Sequence, residues 1–169
     1  MVPRAGAQIH LISDFPWVVR GALYARAVSD ATGAGAGMRD RDEPVVLVDA
    51  RNVARSRWPN IPDDRFVELA CAWAVRERVR LLLVFDGPAP GGVLGTADLD
   101  ERATVVGTGR ESADDWIVRE AERLASELHR AWLVTSDRVL RVRAAPYVER
   151  TTGGGAFARE LEAFEGPRE

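Results

Sequence analysis

The residues best suited to chemistry in this chain are aspartates standing at the ends of apolar runs. VVLVD closes on Asp49 and is followed by Asn52, and LLLVFD closes on Asp86. GRESADD then supplies Asp114 and Asp115, and AWLVTSD ends on Asp137. A charge at the mouth of a dry strand costs on the order of several kcal/mol unless it is solvated, paired or bound to a cation. All but Asp114, left over in the first turn of its helix, also have a local explanation. Asp49 and Asp137 can cap the turn that follows. Asp86 can shape a turn before Gly87-Pro88, and Asp115 lies three residues after Ser112, the spacing of a capping box. Caps have no reason to converge, however, and carboxylates gathered at one edge repel one another. A divalent cation resolves that conflict. Oxygen ligands without histidine or cysteine favour Mg²⁺ or Mn²⁺. Asp49, Asp86, Asp114 and Asp137 are therefore the candidate metal ligands, and together with Asn52 the candidate catalytic set.

Such a site suits phosphodiester hydrolysis, in which a metal activates water and stabilises the leaving oxygen. Arg51, Arg55 and Arg57 follow the first aspartate with Trp58 beside them, and Arg110 and Arg138 flank the later ones. Read functionally, these six bind a single-stranded RNA backbone and stack a base. Read structurally, they are a solvated loop with one anchoring tryptophan, plus countercharges for the aspartates.

The elements that must position these residues alternate from Val45 onward. Strands are expected at VVLVD, Leu81–Asp86, Thr104–Val106 and Ala131–Thr135, with a fifth in YVERT. Helices are expected after Asn60-Ile61-Pro62, after GTGRES, in SDRVLRVRA and in GGGAFARELEAF, with a weak helical stretch near 96–102. The alternation predicts an α/β fold with a mostly parallel sheet and helices on both faces. In such a sheet ligands bind beyond the carboxyl ends of the strands, which is where the aspartates stand.

Upstream, residues 1–30 read as an extension with one amphipathic helix, carrying Trp17, Gly21, Tyr24 and Val28 on one face. Residues 31–44 read as a flexible linker, and 45–165 as the domain itself. The chain has 169 residues, 46% of them apolar, enough for one well-formed core. Its net charge of −3 gives no global basic footprint. All 23 basic residues are arginine. The single cysteine, Cys71, permits no disulfide framework and suits a reducing cytoplasm. With only His10 and His129 for imidazole, a zinc site is disfavoured. No apolar segment approaches the roughly 20 residues that a membrane span needs. GTGRES lacks the third glycine of a dinucleotide-binding turn. Gly153-Gly154-Gly155 reads as a connector in preference to a phosphate cradle.

VVLVDARN, LLLVFDG, GRESADDWI, VTSDR and GGGAFARELEAF, in this order, resemble the YacP-like branch of the NYN domains, which are PIN-like ribonucleases. The resemblance runs from residue 45 to about residue 164. It implies a PIN-like three-layer α/β/α sandwich and metal-dependent endonucleolytic cleavage of RNA that leaves a 5′-phosphate. By position it assigns Asp49 and Asn52 to the family's D-G-x-N motif, and Asp86 to the F-D after the second strand. Asp114 matches the "AD" at the helix start and Asp137 the T-x-D, while Asp115 has no counterpart. The chain departs from the pattern at Ala50, where the family has glycine. The resulting expectation is a cytoplasmic, Mg²⁺- or Mn²⁺-dependent endoribonuclease acting on single-stranded RNA, ribosome-associated mRNA included. The alternatives are a non-catalytic RNA- or ribosome-binding module, and a toxin-like nuclease silenced by a partner protein.

Overall fold

Strand β1 (Val45–Asp49) is buried along its whole length because helices cover both of its faces. The computed structural model describes residues 43–58 and 60–165. Beside β1 run β2 (Arg80–Phe85), β4 (Ala103–Gly107), β5 (Ala131–Val134) and β6 (Arg150–Thr152), all parallel, in the order β4-β2-β1-β5-β6. A sixth strand, β3 (Gly95–Asp98), pairs antiparallel with the outer edge of β4.

Alternate residues of the sheet face two helical layers. Val46, Val48, Leu81, Leu83, Phe85 and Val134 pack with Val53 of α1 (Ala50–Arg57), Phe66 and Trp73 of α2 (Asp63–Glu77), and Phe157 and Leu161 of α5 (Gly154–Glu165). Val45, Leu47, Val84, Val106 and Leu133 pack with Ile117 and Leu124 of α3 (Ala113–Ser126) and Leu140 of α4 (Arg138–Ala144). The result is a three-layer α/β/α sandwich with a mostly parallel sheet, as expected. Cys71 lies on α2 against the first of these cores, and burial pushes its thiol up to about 12.

Two local expectations are corrected. The stretch near 96–102 is not helical: Gly95–Asp98 is strand β3, and a tight turn returns the chain to β4. Asp100 fixes that turn by accepting the N–H groups of Arg102 (2.7 Å) and Ala103 (2.8 Å). Pairing with the open edge of β4 outweighs a weak helical propensity. Residues 50–57, read in one alternative as a loop, form helix α1. Its amphipathic character rests on only two inward residues, Ala50 and Val53, too few to register as a periodic stripe.

One glycine is required by close approach. A Cβ on Gly107, at the end of β4, would lie 2.0 Å from the Val93 carbonyl oxygen and 2.7 Å from the Ala89 nitrogen. The loop after β2 folds over the strand end there, which only glycine permits. The expected N-terminal extension and most of the linker lie outside the described residues. Of that linker, Glu43 pairs with Arg102 at 2.6 Å, and the Pro44 carbonyl accepts the Arg80 N–H at 3.0 Å. No helix among the described residues is long and apolar enough to cross a membrane.

Candidate active site at the carboxyl edge of the sheet

Four aspartates reach the carboxyl edge from four different elements. Asp49 ends β1, Asp86 follows β2, Asp114 lies in the first turn of α3, and Asp137 follows β5. Asp49 continues the alternation of Val45 and Leu47, so it stands on the α3–α4 side of the sheet. It is only 8% exposed. It is also the N-cap of α1, accepting the Asn52 N–H at Oδ1 (3.2 Å), while Oδ2 accepts the Thr135 hydroxyl (3.1 Å). Asp137 caps α4 through one oxygen, which accepts the N–H groups of Val139 (2.7 Å) and Leu140 (3.0 Å). Asp86 accepts the Ala113 N–H at 3.2 Å, tying the β2 end to the start of α3.

Capping and convergence therefore coexist. Each carboxylate oxygen has two lone pairs, so a cap leaves further acceptor capacity. The electrostatics show the convergence. Burial pushes the Asp49 carboxyl above its ordinary value, the charges of Asp114 and Asp137 push it further, and the bonds from Asn52 and Thr135 oppose the rise. Asp114 is likewise raised, first by burial and then by Asp137, with Asp115 and Asp86 adding to it and Arg143 opposing. Asp114 has no hydrogen-bonded cap role among the described residues.

Asp115 behaves differently. Its backbone N–H bonds to Ser112 Oγ at 3.1 Å, as the capping-box spacing predicts, and its side chain pairs with Arg143 at 2.6 Å. That ion pair, with a smaller contribution from Ser112, holds its carboxyl below the usual range. Asp115 belongs to the helix start and to the α3–α4 contact.

Two residues outside the candidate set, Thr135 and Ser136, lock the site. Thr135, with 0% exposure, bridges Asp49 and the Asp137 N–H (3.1 Å). Asn52 Oδ1 accepts the Ser136 N–H (2.7 Å), and Ser136 Oγ accepts the Gly154 N–H (2.9 Å). The signal for Thr135 was available: it takes the next inward-facing position after Leu133, where a polar residue needs a partner. Gly154 is not part of a connector but the first residue of α5. A Cβ there would meet Ser56 Oγ at 2.8 Å, Asn52 Oδ1 at 3.1 Å and Val53 Cα at 3.2 Å, so it lets α5 close onto α1. Ala50 is 1% exposed, and its φ is not positive. Its methyl fills the core beside Val53, so this chain makes no use of the backbone freedom that glycine would bring.

The arginines divide into two groups. Arg57 and Trp58 both bond Glu162 of α5, at 2.8 and 2.6 Å, and so tie the end of α1 to α5. Arg51, Arg55, Arg110 and Arg138 are exposed and have no ion pair among the described residues. Arg51, Arg110 and Arg138 follow the carboxyl ends of β1, β4 and β5, and Arg55 lies one turn further along α1.

The donor set suits a hard cation: four carboxylates and an amide, with no sulfur or imidazole. Among the described residues, no three acidic, imidazole or thiol groups form a ready-made coordination cluster. Mg²⁺ is commonly held by one or two carboxylates, completing its shell with water and substrate phosphate. An open, partly assembled carboxylate edge fits that habit.

This architecture matches two crystal structures of Rae1 (YacP) from Bacillus subtilis. One is of a mutant form, with a TM-score of 0.57 and 21% identity over 72% of this chain and 77% of that one. The other has a TM-score of 0.51 and 21% identity over 72% and 75%. The chain has the YacP-like fold. No protein-family profile and no curated protein matches the sequence. The likeness to Rae1 thus carries the arrangement of strands and helices, and the residues at the carboxyl edge carry the chemistry.

Proposed function

We propose that the chain is a Mg²⁺- or Mn²⁺-dependent endoribonuclease acting on single-stranded RNA. The observation that carries the reading is that Asp49, Asp86, Asp114 and Asp137 all stand at the carboxyl edge of the sheet; burial raises the carboxyl groups of Asp49 and Asp114, and neighbouring aspartates raise them further. The resemblance of the five sequence motifs to YacP-like NYN domains points the same way.

In this reading the four aspartates hold the cation, which when bound would neutralise phosphate charge and make water a better nucleophile. The chain's own groups do the rest. Asn52 Oδ1 is committed to Ser136, so its Nδ2 hydrogens are the donors left for a phosphate oxygen. Arg51, Arg55, Arg110 and Arg138 hold neighbouring phosphates. Water oxygen adds to phosphorus as the P–O3′ bond breaks, leaving a 5′-phosphate and a 3′-hydroxyl. The setting is the cytoplasm, and mRNA, including mRNA on the ribosome, is the natural partner.

The test is incubation of the full chain with an end-labelled unstructured RNA in Mn²⁺, Mg²⁺ or EDTA, beside Asp49→Asn. Cutting that needs metal and is lost in Asp49→Asn is the expected result. RNA binding without cutting in either metal would instead make the chain a non-catalytic RNA-binding module.

A further inference from the structure

Many arginines of the described fold are neutralised by a neighbouring carboxylate, among them Arg57 by Glu162, Arg102 by Glu43, Arg119 by Glu111, Arg123 by Glu120 and Glu127, and Arg143 by Asp115. Those without an ion pair among the described residues are distributed unevenly. Arg51, Arg110 and Arg138 stand where the chain leaves β1, β4 and β5, and Arg55 and Arg141 lie one turn further along α1 and α4, whereas Arg78, Arg150 and Arg159 lie at the end of α2, at the start of β6 and within α5. Arg150 also lies over the Trp132 ring, 5.2 Å from its centroid.

Helix α4 stands out within this pattern. Leu140 and Ala144 are fully buried and fix it against the α3 layer. Its outer face carries Arg138 and Arg141, one turn apart, and beside them Val139 and Val142, 65% and 75% exposed. Two β-branched residues are thus left in water beside two guanidinium groups that have no ion pair among the described residues. The helix begins directly after Asp137, so this face adjoins the acidic edge. An acidic edge repels phosphate, and cations on either side of it must bring the polyanion in.

We propose that the α4 face formed by Arg138, Val139, Arg141 and Val142 is the track on which single-stranded RNA lies as it leaves the carboxylates on the β5 side, with Arg110 holding the strand on the β4 side. The proposal rests on the ribonuclease reading and adds to it the direction of the strand. The strand crosses the sheet edge over β4, β2, β1 and β5, a span of roughly 14 Å at the usual strand spacing. Arg138 and Arg141 contact phosphates, and the two valines pack against ribose and base edges. Charge complementarity selects a nucleic acid over a protein as occupant, since the exposed side chains of α4 include no carboxylate.

The experiment is fluorescence anisotropy of a short unstructured RNA with the full chain, in EDTA so that nothing is cut, over a range of salt. Compared are the wild type, Arg141→Gln, Val142→Asp and Arg78→Gln, the last at the far end of the sheet. Arg141→Gln should bind about three- to ten-fold more weakly, with a salt slope smaller by about 0.7, the value for one phosphate contact to a single strand. Val142→Asp should bind more weakly still, and Arg78→Gln like wild type. All of these positions are exposed, so unchanged melting curves will separate binding from folding. Wild-type affinity in both α4 variants overturns the track and leaves the nuclease standing. No RNA binding by the wild type at any salt overturns both.

Discussion

Thr135 donates its hydroxyl proton to Asp49 across the β1–β5 pair at 3.1 Å, and the same oxygen accepts the Asp137 N–H at 3.1 Å. One fully buried hydroxyl therefore sets two of the four aspartates relative to each other. Thr135→Val keeps the shape but leaves both partners without it. Loss of a buried polar partner costs about 1–3 kcal/mol, so we expect a fall of that size in urea unfolding, with Thr135→Ser recovering most of it. RNA cleavage should fall in Thr135→Val beyond what the stability loss explains. A valine variant as stable and as active as wild type would show the bridge to be idle.

The raised carboxyls of Asp49 and Asp114 make a pH prediction with a definite sign. Below the ordinary value of 3.8 both are protonated, folded or unfolded, and neither affects stability. As pH rises through 3.8 the unfolded chain releases these protons first. Folding therefore loses stability until the raised folded values are passed, and the loss then stays constant. In EDTA, Asp114→Asn should accordingly be more stable than wild type near pH 7, with the difference vanishing toward about pH 3. Saturating Mn²⁺ should stabilise wild type and reverse the order. If Asp114→Asn is the less stable protein in EDTA at neutral pH, Asp114 is a structural residue and not a metal ligand.

The parts of this architecture that were legible in the sequence are those that repeat. Buried strands such as VVLVD and LLLVF are continuous apolar runs, and their ends name the carboxyl edge. What the sequence hid depends on contacts between distant segments. β3 exists because β4 offers an open edge, and Gly95–Asp98 has little strand character alone. The cap and convergence readings of Asp49 looked like rivals, yet a carboxylate with four lone-pair sites serves both. Nothing in the sequence ties Arg57 and Trp58 to Glu162, which accepts from both and lies more than a hundred residues away.

The three consecutive glycines before and within α5 should not be equivalent. Gly154→Ala places a Cβ within 3.2 Å of three atoms of α1, two of them on Ser56 and Asn52. Overpacking of this kind costs about 1–3 kcal/mol, and here it also presses on the amide of Asn52. Gly155→Ala meets only Ser56 Cβ at 3.9 Å, an ordinary contact, and should be neutral or stabilising by up to about 1 kcal/mol from helix propensity. Thermal melts and cleavage rates of the two variants read this directly. Equal behaviour would mean that α5 shifts away from α1 without cost.

Trp58 offers the sharpest contrast between an anchor and a contact. Its indole N–H donates to Glu162 Oε1 at 2.6 Å, and Arg57 Nε donates to the other oxygen at 2.8 Å, so Glu162 holds the end of α1 with both of its oxygens. The groups are partly exposed, and such charge-assisted bonds near water contribute about 1 kcal/mol. Trp58→Leu should therefore lower stability while leaving affinity for a short RNA in EDTA within about two-fold, since a stacking platform would instead contribute about 1–3 kcal/mol per base. Glu162→Gln should lower stability as well, and the double variant should fall short of the sum, because the pair shares one interaction. Arg55→Ala, one turn earlier and without an ion pair among the described residues, should do the reverse: unchanged melting and weaker RNA binding. A large loss of RNA affinity in Trp58→Leu, with the fold intact, would move Trp58 from the α1–α5 contact to the substrate.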